Sequence, residues 1–318
     1  MASNNVLLIG GSGFVGGWIA NRLTEQGVRV RIPTRRHEHA RRLTLLPTIE
    51  TVVTDVFNPL ALRELMRGQD AVINLVGILH DRDSRSPYGS GFARAHVELP
   101  QRIVTAMQES GVRRLVHMSA LGTASDAPSE YLRSKAAGEA AAFAAEGIDV
   151  TAFRPSVIFG AGDAFLTLFA RFLRLAPVFP LAGARARFQP VYAGDVAWAF
   201  CDCLDRNDTI GQRYDLAGPG IYTLRQLVEY TGEISGHPRP VIELPDAIAA
   251  LQANLLKWLP NPPMTPDNLR SMQVDNVSDG THDYPDWRPT PLEAVAPGYL
   301  SAQTPKGRLD DLRLRAGR

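Results

Sequence analysis

The chain has 318 residues, with 34 basic against 33 acidic side chains and a formal net charge of +1. Apolar residues make up 45 % and charged ones 21 %, which excludes wholesale disorder, and the lack of a basic excess argues against a general nucleic-acid binder. The basic set is skewed to 31 arginines and three lysines, Lys135, Lys257 and Lys306.

At ~150 residues per domain, the length suits one large or two closely joined domains. Cys201 and Cys203 cannot build a disulfide framework, and two residues apart on a helix they point to different faces. The histidines show no ligand spacing either, so no metal is expected. No signal-type segment precedes the first apolar run at Val6. The longest greasy stretch, 164–182, is broken by Arg171, Arg174, Pro177 and Pro180 and does not read as a membrane span. A reducing cytoplasm is the expected setting.

In chain order, β-rich runs at 6–9, 28–32, 51–54, 71–76, 114–118 and 149–153 alternate with stretches long enough for crossover helices. Asn58 before Pro59 marks one helix start. The pattern predicts an α/β fold: a doubly wound parallel Rossmann sheet, with a smaller, partly helical carboxyl-terminal substrate lobe. The first domain is expected at 1–155 with 186–212 returning to it, the lobe at 156–185 and 213–306, and a polar tail at 307–318.

The first run leads into Gly10-Gly11-Ser12-Gly13-Phe14-Val15-Gly16 and an amphipathic helix. Glycines there let the backbone approach a pyrophosphate, whose charge meets helix-terminal N–H groups. A plain strand-to-helix turn is the alternative, but the order strand, loop, helix favours a dinucleotide. After the second run, an NAD site would carry an acid for the ribose 2′-hydroxyl. Instead Arg35 and Arg36 stand there, suited to a 2′-phosphate, so NADP(H) is expected in preference to NAD(H). A solvated basic turn is the competing reading. Asp55 and Val56 follow the third run and are candidates for the adenine. Leu75, Val76 and Gly77 end the fourth, along the expected phosphate and ribose path.

Ser119 closes the fifth run, and Tyr131-Leu132-Arg133-Ser134-Lys135 opens an Ala-rich helix twelve residues later. Tyr131 and Lys135, four apart, share a helix face. A phenol that exchanges protons near neutral pH must shed roughly three pKa units from about 10, and a neighbouring ammonium does so by stabilising the phenolate. Lysine's compact donors also reach a ribose hydroxyl, and Ser119 is placed to orient a substrate carbonyl or hydroxyl. An exposed helix start and a strand-end turn are the bland alternatives.

These motifs, with Phe153-Arg154-Pro155-Ser156-Val157-Ile158-Phe159-Gly160 and Val191-Tyr192-Ala193-Gly194-Asp195-Val196-Ala197, resemble an extended or atypical short-chain dehydrogenase/reductase of the NAD-dependent epimerase/dehydratase superfamily. Asn74 to Leu79, Tyr131 to Glu139 and Phe188 to Tyr192 resemble, more narrowly, the branch related to the alpha-subcomplex subunit 9 of respiratory complex I. The resemblance implies NADP(H) binding and a link to quinone metabolism or to that complex. It also places Arg154-Pro155 and Ser156 to Phe159, Val157 among them, near the nicotinamide and substrate, and Tyr131 and Lys135 on the cofactor as well as in catalysis. His96 stands where many extended relatives carry an asparagine that supports the proton relay. Either it substitutes or it is a packed helix histidine. The short Ser119-to-Tyr131 interval weighs against a sugar-nucleotide epimerase or dehydratase. A non-catalytic accessory or assembly subunit remains the main alternative to an oxidoreductase.

Within 245–260, Ile248, Leu251, Leu255, Trp258 and Leu259 form an apolar stripe beside Lys257, expected to pack into the lobe. Contact with the inner face of a membrane, or with a quinone-like pocket, is the alternative. The substrate is a small molecule that the sequence does not identify.

Overall fold

A computed structural model describes residues 3–259 and 262–301. The chain divides into two compact units, the first formed by residues 1–155, 196–216 and 280–285. The expected polar tail at 307–318, Lys306 and Pro260 lie outside the described residues.

The first unit is built on seven strands: β1 (Asn5–Ile9), β2 (Arg29–Thr34), β3 (Ile49–Val53), β4 (Ala71–Asn74), β5 (Arg114–Met118), β6 (Asp149–Pro155) and β7 (Arg213–Leu216). Their order is β7-β6-β5-β4-β1-β2-β3, and every neighbouring pair runs parallel. Parallel strands covered on both faces require unbroken apolar runs. Val6, Leu7, Leu8 and Ile9 of β1, and Ala71, Val72 and Ile73 of β4, accordingly have no exposed surface.

The crossover helices are α1 (Phe14–Glu25), α2 (Pro59–Met66), α3 (Leu99–Ser110) and α4 (Glu130–Phe143), with a π-helical segment, Ala93–Glu98, leading into α3. Asn58 caps α2 as expected, its side-chain oxygen accepting from the Leu60 and Ala61 amides at 3.0 and 3.4 Å. Ser129 caps α4 through the Leu132 amide. Leu62, Leu65 and Met66 of α2 meet Leu99, Ile103 and Met107 of α3 over the Leu7, Ile9 and Val72 face of the sheet.

The segment returning to this unit differs from the expected 186–212. It is Val196–Leu216, because Arg213–Leu216 pairs with β6 to complete the sheet, and residues 280–285 join it. Tyr284 is buried there, 5.3 Å from Phe153 between ring centroids, with its hydroxyl donating to Asp202 at 2.7 Å.

Among the described residues, the second unit contains those of 156–195, 217–279 and 286–301. Its strands are short pairs: Ile158–Phe159 with Val191–Tyr192, Phe179–Leu181 with Val241–Glu243, and Arg187–Phe188 with Tyr222–Thr223. Its helices are α5 (Phe165–Leu175), α6 (Ala193–Asp202, which continues into the first unit), α7 (Leu224–Ile234) and α8 (Asp246–Leu256), with shorter turns after them. Phe165, Phe169, Phe172 and Phe179 pack with Leu224 and Val228 as its core.

The expectation that the 245–260 stripe packs inside this unit is overturned. Ile248, Leu251, Leu255, Trp258 and Leu259 are 51, 60, 66, 81 and 46 % exposed. The small side chains Ala249 and Ala253 are the buried ones, so α8 seats on its alanines and turns its large residues outward. Among the described residues, no helix is long and apolar enough to cross a membrane.

Candidate functional site

The strand order reverses between β1 and β4, which in open α/β sheets is where a crevice opens at the carboxyl ends of the strands. The glycine loop leaves β1 there. Gly10 adopts a left-handed φ of 85°, and a β-carbon on it would lie 3.2 Å from Leu75. A β-carbon on Gly16 would sit 2.5 Å from Gly11, so the first turn of α1 rests directly on the loop. Gly13 caps α1 without any side-chain bond. The free amides at this helix start, in a cradle that a single methyl would fill, fit a dinucleotide pyrophosphate.

A cavity of about 550 Å³ beside the ends of β2 and β3 is lined by Arg35, Asp55, Phe57, Ile78 and Arg94, among others. Arg94 lies on the π-helical segment, with its guanidinium 4.3 Å from the centroid of the Phe57 ring. Neither Arg35 nor Arg94 pairs with an acid among the described residues. Arg36 is exposed outside this lining, at the cap of the short helix that follows β2. Asp55 accepts from the Phe57 amide at 3.0 Å and faces the cavity as well. The Val56 and Val76 side chains pack against the core, which leaves their backbone for any contact with a ligand. Leu75 is tied to β1 by its amide, which donates to Ile9 at 2.9 Å.

Ser119, Tyr131 and Lys135 come from β5 and α4. Ser119 follows β5 and is 2 % exposed, its amide donating to Phe153 at 2.7 Å. Lys135 is 4 % exposed, and its Nζ donates to the Met118 carbonyl, the residue before Ser119, at 2.6 Å. A β-carbon on Gly77 would lie 3.8 Å from the same Nζ. The ammonium therefore sits between the ends of β4 and β5. Tyr131, half-buried one turn earlier on α4, meets the edges of His96 and Phe92 at ring-centroid distances of 5.6 and 6.2 Å.

Burial sets the proton affinities. It pushes the Tyr131 phenol up to about 12, opposite to the lowering expected from a lysine one turn away. Lys135 itself falls to about 8 through burial, partly offset by Glu139 one turn further along α4. Burial works against Glu139 ionising, but Arg154, Ser119 and Arg213 together hold it below its ordinary value. Arg154 bonds both carboxylate oxygens, at 2.9 and 2.5 Å, and Arg213 donates at 2.7 Å. The Ser119 hydroxyl is close enough to Glu139 to act on it electrostatically, without the alignment of a hydrogen bond.

His96 resolves as a packed, hydrogen-bonded histidine of the π-helical segment. Its Nε2 accepts from the Ile78 amide at 3.0 Å, so its proton resides on Nδ1, which lies 2.8 Å from Ser134 Oγ. Ser134 in turn donates to the Tyr131 carbonyl at 2.7 Å. Burial, and then Lys135, hold the ring at about 2 and so neutral. Asn74 Nδ2 and His117 Nδ1 are 3.2 Å apart, and Asn74 Oδ1 accepts from the Val76 amide. That donor makes His117 a neutral acceptor, which burial also enforces, lowering it to about 3.

Sequence reasoning missed Glu139, Arg154 and Arg213 as one ion cluster, and Arg94 as a lining residue. The spacing of Glu139 four after Lys135 was an available signal. Arg94 had none, since the π-helical segment that aims it is not readable from periodicity. Pro155 ends β6, its carbonyl accepting from the Leu121 amide at 3.0 Å. Val157 belongs to the second unit, where Asn276 receives its amide at 3.0 Å and Val191 donates to its carbonyl.

The chain is 30 % identical over 277 residues to the NADH dehydrogenase [ubiquinone] 1 alpha subcomplex subunit 9 of Arabidopsis thaliana, covering 85 % of this chain and 67 % of that one. It is 28 % identical over 249 residues to a ceramide reductase of Caulobacter vibrioides, covering 76 % and 74 %. The crystal structure of gox2253 has the same fold, with a TM-score of 0.71, 20 % identity and coverage of 93 % and 97 %. The model of the NAD dependent epimerase/dehydratase family matches residues 6–217, which hold the glycine cradle and the Ser119, Tyr131 and Lys135 cluster just described. The chain belongs to that NAD(P)-binding family.

Proposed function

We propose that this chain is an NADP(H)-dependent oxidoreductase that reduces a carbonyl, or oxidises the matching hydroxyl, with Ser119, Tyr131 and Lys135. The observation that carries the proposal is the buried Lys135, one turn from Tyr131, with its Nζ on the backbone carbonyl beside Ser119. When bound, the nicotinamide supplies or takes the hydride. Tyr131 holds a proton at neutral pH and passes it to the substrate oxygen. Lys135, charged below about pH 8 and one turn along the same helix, offsets part of what burial costs the phenolate as it forms. Ser119 donates to the same substrate oxygen and fixes its direction.

The preference for NADP(H) rests on Arg35 and Arg94, two guanidiniums facing one cavity without acidic partners among the described residues. The names of the relatives, a ceramide reductase and a subunit of a ubiquinone oxidoreductase, support a lipophilic carbonyl or quinone as the substrate class. The subunit relatives also support a second reading, a nucleotide-holding component of a respiratory assembly. That role needs the glycine cradle but not a buried phenol and ammonium.

The test is NADPH oxidation with long-chain ketones, phenanthrenequinone and a short-tailed ubiquinone as probes. Wild type should reduce at least one probe. Tyr131→Phe should lose ~100-fold or more of that rate, in line with the loss of a general acid, while NADPH affinity stays within about twofold. Failure of wild type on every probe, or a fully active Tyr131→Phe, favours the holding role.

A further inference from the structure

We infer that α8 and the turn after it form a docking surface for the interfacial layer of a lipid bilayer. Helix α8 is inverted relative to an ordinary surface helix. Ala249 and Ala253, 4 and 0 % exposed, face the protein, while Ile248, Leu251, Leu255 and Trp258 face outward. Their spacing of three, four and three places them along one face of the helix and its continuation. The two-stranded ribbon from which α8 departs carries an exposed apolar pair of its own, Ile242, 55 % exposed, opposite the exposed Pro180.

Charge and size distinguish a bilayer from a protein partner. Beyond Asp246 at its first position, α8 and its turn contain no acid and one cation, Lys257, whose side-chain partner is the neutral Asn254 at 3.3 Å. Its ammonium lies 5.5 Å from the Trp258 ring centroid, so a cation and an indole are presented together at the end of an aliphatic stripe. This combination suits the boundary between anionic headgroups and acyl chains. The outward-facing apolar set is five large side chains on one helix and the turn after it. A stable self-association engages about 20–30 residues from each copy. A bilayer has no such threshold, because each side chain that enters contributes separately. Eleven residues are too few to cross one, which leaves the helix lying in the interface.

The experiment uses the full chain with sucrose-loaded vesicles, either pure phosphatidylcholine or 30 % phosphatidylglycerol, read by co-sedimentation. The thermal midpoint and far-UV circular dichroism report the fold. Wild type should sediment with the vesicles, more with the anionic set than the neutral one. Leu251→Glu/Leu255→Glu should lower the partition coefficient at least tenfold with the fold reporters unchanged, and Lys257→Glu should remove the preference for anionic lipid. Wild type staying in the supernatant, or the double variant binding as well as wild type, overturns the proposal. So does a wild-type dimer that the double variant dissociates without any vesicle binding, which would assign the face to a second copy. None of these outcomes depends on the cofactor or on turnover.

Discussion

Lys135 is the residue on which the proposed chemistry turns. It is 4 % exposed, bonded to a backbone carbonyl, and held charged at neutral pH by Glu139 against the cost of its burial. A lysine lowered to about 8 is protonated below that pH and neutral above it, so whatever depends on its charge is present at pH 7 and lost as the pH rises through 8. NADPH affinity, followed by nicotinamide fluorescence from pH 6.5 to 9.5, should therefore weaken above pH 8 by up to about tenfold per unit. Lys135→Met should give weak, pH-independent binding across the range, and a flat wild-type profile would remove the ammonium from the cofactor site. The residue could be singled out from sequence because arginine fills nearly every other cationic position. The rise of the Tyr131 pKa was not legible there, since it depends on burial, which the tertiary fold sets.

Elements built from periodicity were readable when both faces of the pattern had a partner. Continuous apolar runs gave the parallel strands, and Asn58-Pro59 gave the start of α2. Helix α8 was misread because an apolar stripe carries no sign of direction. Small alanines opposite large aliphatics were the clue that the alanine side packs. The contact between α4 and the π-helical segment shows how tightly the site elements fit. A β-carbon on Gly138 would overlap the His96 carbonyl, so α4 needs glycine there to hold Tyr131 and Lys135 in place. Gly138→Ala should cost about 1–3 kcal/mol and lower the thermal midpoint by several degrees. Gly17→Ala in α1, where a β-carbon meets nothing within 4 Å, should stabilise by about 0.5–1 kcal/mol. Equal effects in calorimetry would mean that the close approach at His96 is not a constraint.

Across the whole molecule, the sheet order and the glycine loop put the glycine cradle where β1 and β4 diverge, and this much follows from the order of strands and helices in the sequence. The discontinuous makeup of the units does not. Arg213–Leu216, expected in the lobe, joins the sheet only through its pairing with β6, and Gly280–Pro285 carries no periodic signal at all. The second arginine of the cavity was hidden in the same way, because Arg94 reaches it from a π-helical segment some sixty residues beyond Arg35. The claim that this cavity receives a 2′-phosphate is tested most directly by dissociation constants for NADPH and NADH at pH 7, in wild type, Arg35→Ala and Arg94→Ala. The expected result is NADPH tighter by at least tenfold in wild type, each substitution weakening NADPH about tenfold or more and NADH less than threefold, as the loss of a charge-assisted bond requires. Equal affinities in wild type, unchanged by either substitution, would contradict it.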